Sequence, residues 1–306
     1  VNDTPSAGNP PKSHPLISAT PKSFSRHGTT MAWYESGSGH PVICLHGNPS
    51  WSVLFRPLFK GLGEGFRVIS VDQLGCGQSG TPEGDYGWRL IDRINDFGAF
   101  IDHVAPGQKV SLVAHDWGGM VATSWAVRHP DRIASMTLMN TAAFRLPPGK
   151  ILPRTIDWCR APFIGPILTR GLNGFLKGAV LYCTTKPLSS EVARAYLAPH
   201  HDWASRRSIM EFVRDIPLSP DHPSWGTLLE TECQLNFLRD KPILLPWGLR
   251  DFVFDADYLA EFQRRFPSAK GVPFPEAGHW LLEDESEAVT REIRQFLQKS
   301  VSGSQT

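Results

Sequence analysis

The sequence contains no apolar run long enough to cross a bilayer, which excludes a helical membrane span. It also lacks any paired cysteine motif. Cys44, Cys76, Cys159, Cys183 and Cys233 are scattered, odd in number and without a C-x-x-C spacing. That argues against a disulfide framework and predicts reduced, mostly structural thiols in a cytoplasmic protein, with Cys44 buried and free in an apolar strand. Excess charge is missing too. A net charge of +1 gives no reason to expect nucleic acid or an anionic membrane surface as a partner. No internal repeat is present. His200-His201-Asp202 lacks the spacing of a zinc site, so neither a metal nor a cofactor is expected. Low complexity is confined to residues 1–22, rich in Pro, Ser, Gly, Asn and Thr. They carry neither a charged n-region nor an apolar h-region and predict a disordered extension rather than a signal peptide.

What remains is ample material for a core, 306 residues of which 41% are hydrophobic. Strand-like runs occur at 31–35, 41–45, 66–71, 110–114, 133–139, 242–247 and 270–274. Helical patterns lie between them, near 52–62, 88–103, 117–129 and 258–266. In a last helix at 286–299, Val289, Ile293, Phe296 and Leu297 fall on one face. This alternation predicts an α/β protein, a mostly parallel sheet with helices on both faces. It breaks between 144 and 225, where helical segments replace strands. The expected organisation is a core of residues 23–143 and 226–300, a helical cap at 144–225 and a tail at 301–306. Some apolar cap residues are expected to line a pocket at the junction with the core.

The chemistry is concentrated in Leu112-Val113-Ala114-His115-Asp116-Trp117-Gly118-Gly119. A buried strand runs into a tight turn, flanked by small residues and followed by a helix. It resembles the nucleophile elbow of the α/β-hydrolase fold, with an acid where esterases carry serine. An ionised carboxylate needs no base to attack, and it suits displacement at an electrophilic carbon to give an ester with the enzyme. His279 sits in a small-residue turn after the last strand, where an imidazole can reach the elbow. Asp251, at the end of Trp247-Gly248-Leu249-Arg250-Asp251, falls where the chain order nucleophile, acid, histidine requires the orienting acid. Asp255 reads instead as a helix cap, and Asn140, after the strand at 133–139, cannot serve as a carboxylate. His46-Gly47-Asn48-Pro49-Ser50-Trp51 occupies the loop that commonly supplies one N–H of an oxyanion hole, the other coming from Trp117. The Asn48 amide and the Trp117 indole are additional donors, expected to converge on a departing anion. The Asp72-to-Ser79 segment, with glycines for tight turns, reads as structural.

The 46–51 and 115–119 motifs together resemble the haloalkane dehalogenase branch of the α/β-hydrolases, across nearly all of the chain after residue 22. Segments 140–144, 195–199, 215–220 and 247–251 are similar to the β-lactone decarboxylases of bacterial long-chain olefin biosynthesis. That resemblance implies conversion of cis-3,4-dialkyl oxetan-2-ones into cis-alkenes and carbon dioxide. It implies Asp116 as nucleophile, His279 as base, Asp251 as its orienter, and Asn48 with Trp117 as anion holders. It further implies a small apolar substrate with long alkyl chains, and partner enzymes of the same pathway. The alternatives are haloalkane dehalogenation through the same aspartate and a non-catalytic ligand-binding protein on the same scaffold. Ala142 and Ala143 stand where some dehalogenases carry aromatic residues, leaving room for a bulkier substrate. Epoxide hydrolysis wants paired cap tyrosines, and the cap offers Tyr182 and Tyr196 outside any acid motif.

Overall fold

The computed structural model describes residues 11–82 and 84–302. Its centre is an eight-stranded sheet in the order β1-β2-β4-β3-β5-β6-β7-β8. The strands are β1 (Thr20–Arg26), β2 (Thr29–Gly37), β3 (His40–Leu45), β4 (Phe66–Val71), β5 (Val110–His115), β6 (Ile133–Met139), β7 (Ile243–Gly248) and β8 (Lys270–Phe274). β1 and β2 run antiparallel to their neighbours, and β3 to β8 are mutually parallel. Central strands buried on both faces must be apolar at successive positions, and β5 is buried at every one. Alternate residues then feed two cores. Ile43, Leu45, Leu112 and Ala114 pack on one side of the sheet, Val42, Cys44 and Val113 on the other.

The connecting helices are α1 (Arg56–Gly61), α2 (Leu90–Val104) and α3 (Trp117–Arg128). Between β6 and β7 stand α4 (Arg154–Arg160), α5 (Ile164–Pro166), α6 (Gly174–Tyr182), α7 (Ser190–Leu197), α8 (Arg207–Arg214) and α9 (Trp225–Gln234), with no strand among the described residues there. After β7 come α10 (Ala256–Arg265), α11 (Leu281–Asp284) and α12 (Ser286–Ser302). Val289, Ile293 and Leu297 of α12 are fully buried, as their spacing requires.

Two expectations are corrected. The extension expected to be disordered through residue 22 contributes Thr20–Lys22 to β1, and Ile17 is buried in the second core. β1 was invisible because an edge strand that is at most half-buried needs few apolar residues, and TPKSFSR has one large one. Its hairpin to β2 closes through His27-Gly28, both at positive φ, the geometry of a two-residue primed turn. The tail was expected from 301, but α12 includes Val301 and Ser302. Residues 1–10 and 303–306 lie outside the described residues.

Candidate active site

Every candidate residue sits just beyond the carboxyl end of a parallel strand, where such sheets place ligands. Asp116 follows β5 with φ 53° and ψ −129°, a strained backbone that costs about 1–3 kcal/mol and persists only where its surroundings enforce it. They do. A Cβ on Gly118 would stand 2.0 Å from the Leu45 carbonyl oxygen, and one on Gly119 would stand 2.2 Å from Thr141 Oγ1. Thr141 Oγ1 in turn donates to the Asp116 carbonyl at 2.5 Å.

The carboxylate of Asp116 lies against the loop after β3. Its Oδ1 accepts the Asn48 backbone N–H at 2.6 Å, and the Trp117 backbone N–H also bonds to the carboxylate. Only glycine fits at position 47, because a Cβ there would fall 2.0 Å from that same Oδ1. The loop is pinned from the side. Gln73 donates its backbone N–H to His46 Nε2 at 3.0 Å and its amide to the His46 carbonyl at 2.6 Å. Burial lowers His46 to about 4, so its imidazole is neutral and free to accept. Asp72, read as structural, accepts the Ser52 and Gln78 backbone N–H groups at 2.8 Å each.

His279, after β8, is buried and held by Asp251 after β7, with Nδ1 2.7 Å from Asp251 Oδ2. Its Nε2 faces Asp116 Oδ2 at 3.9 Å. His115 donates from Nε2 to the His279 carbonyl at 2.8 Å, and the Phe254 ring stacks on the imidazole. The electrostatics are reciprocal. Burial raises Asp116 to about 6, although the His279 charge and two backbone N–H groups pull the other way. Burial would lower His279, but Asp251 and Asp116 outweigh it and raise the imidazole above its ordinary value. For Asp251 burial opposes ionisation too, and His279 with two backbone N–H groups overcomes it, leaving the carboxyl below the usual range. The five sequence-predicted residues are therefore brought together around one point.

Two details differ from expectation. The Asn48 side chain does not aim both of its N–H groups at the site, because Nδ2 donates to the Ile209 carbonyl at 3.2 Å. Its backbone N–H makes the contact with Asp116 instead. By contrast, the Trp117 indole N–H meets no protein acceptor among the described residues, while its ring packs on Phe212. Sequence reasoning also passed over Asn140. At φ 35° after β6, it donates Nδ2 to Asp251 Oδ2 at 3.0 Å and to the Gly248 carbonyl at 2.9 Å, and accepts Gly248 N–H at 2.9 Å. It cannot be the acid, but it fixes the acid. The signal available was an asparagine, a residue that tolerates positive φ, at the tip of a strand.

Above Asp116 lies a cavity of about 710 Å³, with Asn48, Trp117 and His279 at its polar end. Its walls are otherwise dominated by apolar side chains from the helical segment and the core, among them Met120, Ala142, Phe175 and Leu228. Asp255 caps α10 by accepting from Asp257 N–H, as read from sequence. Tyr196 does not face the cavity. It is buried against Trp280 and donates to Glu283 at 2.6 Å.

Comparison with known proteins gives three results. The family model for the alpha/beta hydrolase fold matches residues 40–286. The cis-3-alkyl-4-alkyloxetan-2-one decarboxylases of Shewanella oneidensis and Xanthomonas campestris pv. campestris are 37% and 36% identical to this chain. These alignments cover 90% of the chain and 87% of the first relative, and 94% of the chain and 99% of the second. The solved structure of the haloalkane dehalogenase DatA from Agrobacterium tumefaciens superposes with a TM-score of 0.82 at 26% identity, covering 94% of this chain and all of that one.

Proposed function

Because this chain belongs to the α/β-hydrolase family, on the branch that holds the oxetanone decarboxylases and the haloalkane dehalogenases, we propose that it decarboxylates β-lactones with long alkyl substituents. The observation that carries the reading is the pairing of a buried carboxylate with a large apolar cavity above it. Asp116, His279 and the free Trp117 indole offer a nucleophile, a cation and an anion donor at one end, and the remaining volume suits hydrocarbon.

In this reading Asp116 Oδ attacks the ring carbon that bears oxygen and inverts it. The ring C–O bond breaks and its electron pair leaves as a carboxylate, held by the Trp117 indole and the second N–H of the Asn48 amide. Asp116 is then joined as an ester, anti to the bond carrying the carboxylate. That carbon–carbon bond supplies the electrons of the new double bond, carbon dioxide departs, and the Asp116 carboxylate is expelled. Inversion followed by anti elimination turns a cis ring into a cis alkene. No proton or water is consumed. The net charge stays at −1 throughout, and the His279 imidazolium stabilises it electrostatically.

The test offers the purified protein a cis-dialkyl β-lactone and a bromoalkane side by side. Alkene with carbon dioxide is expected from the first. Alcohol with bromide from the second, and no alkene, would replace this reading with hydrolytic dehalogenation. Intact-protein mass sharpens the choice, because hydrolysis of an alkyl ester needs a base and the elimination does not. His279→Ala should slow the lactone reaction without accumulating a stable ester.

A further inference from the structure

One surface of the helical segment is not explained by the chemistry beneath it. Between Ile151 and Tyr182, eight large apolar side chains are more than half exposed, with Ile151 and Phe163 each at 87%. Single exposed apolar residues are ordinary, but a group of this size over 32 residues of sequence marks a contact site. The group adjoins the cavity, since two of its members, Trp158 of α4 and Tyr182 of α6, are exposed and also line it.

The same stretch concentrates positive charge. It holds Arg154, Arg160, Arg170 and Lys177 against a single acid, Asp157, so it carries +3 while the rest of the chain carries −2. None of the four cations forms an ion pair among the described residues. Arg160 donates to the Ile216 carbonyl, and Arg170 donates to the Trp203 carbonyl and lies over the Trp203 ring, so neither charge meets a carboxylate partner. Arg154 and Lys177 are exposed. Each stands one helical turn before an exposed apolar side chain, Arg154 before Trp158 on α4 and Lys177 before Leu181 on α6. Residues spaced by four share a helix face.

We propose that this face is an interfacial docking surface for an anionic lipid bilayer, and that it sets the cavity mouth against the acyl region. Aromatic rings belong at the headgroup level, aliphatic side chains just below it, and arginine and lysine with long stems reach back to lipid phosphates. A second copy of the chain is a poorer occupant. A two-fold contact brings the same patch to itself, and four unpaired cations would meet four more. The small whole-chain charge conceals this asymmetry, which depends on where the charges stand.

The proposal goes beyond the reaction and is tested without turnover. Full-length protein is sedimented with vesicles of phosphatidylglycerol and phosphatidylcholine, and with vesicles of phosphatidylcholine alone. Binding to the anionic vesicles is expected, weakening as salt rises. Arg154→Gln with Lys177→Gln should weaken it roughly 30-fold, since each basic side chain at an anionic surface contributes roughly fivefold. Phe163→Asp with Ile167→Asp should abolish it. Phe237→Asp, at an exposed apolar position elsewhere, should leave it unchanged. Absence of binding, equal binding to neutral vesicles, or retention by the Phe163/Ile167 variant would overturn the proposal. So would a dimer in light scattering that the Phe163/Ile167 variant dissolves. Failure of the decarboxylase assay would leave these results untouched, and failure here would leave the reaction untouched.

Discussion

At the scale of single residues, the site depends on opposing demands on three ionisable groups. In the proposed reaction Asp116 attacks as the carboxylate, yet burial raises it to about 6, so on that reading its reactive fraction is set just below neutrality. The kcat/KM of the free enzyme should therefore fall about tenfold per pH unit below pH 6, as protonation removes the nucleophile. His279→Gln removes a neighbouring positive charge that favours the Asp116 anion, so the acid limb should move to higher pH. A pH–rate profile of both proteins decides this, and a limb that stays fixed would assign it to another group. Asn140 belongs to the same balance. Asn140→Ala deletes donors to Asp251 and Gly248 and leaves a buried carboxylate short of one partner, a loss of about 1–3 kcal/mol. The expected result is a lower kcat with little change in KM and a lower Tm. Wild-type kinetics in this variant would make Asn140 a structural bridge only. Asp116, His279 and Asp251 were legible in sequence because each ends a strand in a fixed chain order. Asn140 was not, because its role is a hydrogen bond between two strand ends 108 residues apart, and no local pattern encodes that.

At the scale of elements, the strand–turn–helix from β5 to α3 works because β3 passes close enough to touch it. The Cβ that alanine would bring to position 118 meets the Leu45 backbone carbonyl at 2.0 Å, and backbone cannot rotate away as a side chain can. Gly118→Ala should therefore push α3 from β3, at a cost of about 1–3 kcal/mol for overpacking. It should move Asp116 relative to the Asn48 N–H. Thermal unfolding should show a lower Tm, and activity should fall further than the lost folded population accounts for. An unchanged Tm would mean that the turn has slack which the contact distances deny. The central strands and long helices were readable from periodicity, since burial on both faces, or along one stripe, forces a pattern on the sequence. The hairpin of β1 was not readable. Its strand is solvated on one side, carries Pro21, and draws its register from a turn at His27-Gly28 and from pairing with β2.

At the scale of the whole molecule, residues of the helices between β6 and β7 and of the strand ends line a cavity above Asp116, and under the proposed function its shape sets which substrates react there. Ala142 lines that volume just beyond β6 and is 8% exposed. A larger side chain there projects into open cavity rather than into packed core, so Ala142→Phe should leave Tm nearly unchanged. It should exclude hydrocarbon instead. If the ring displaces two methylenes of a bound alkyl chain, about 1.6 kcal/mol of apolar burial is lost, a factor of roughly 15 in kcat/KM. That loss should fall on long-chain substrates alone, because short chains never reach the obstructed region. The measurement is kcat/KM for a series of β-lactones that differ only in chain length, in wild type and variant. A bend in the selectivity curve that moves to shorter chains is expected. A uniform loss at every length would place Ala142 beside the reacting ring, and no loss at all would put the alkyl path on another wall of the cavity.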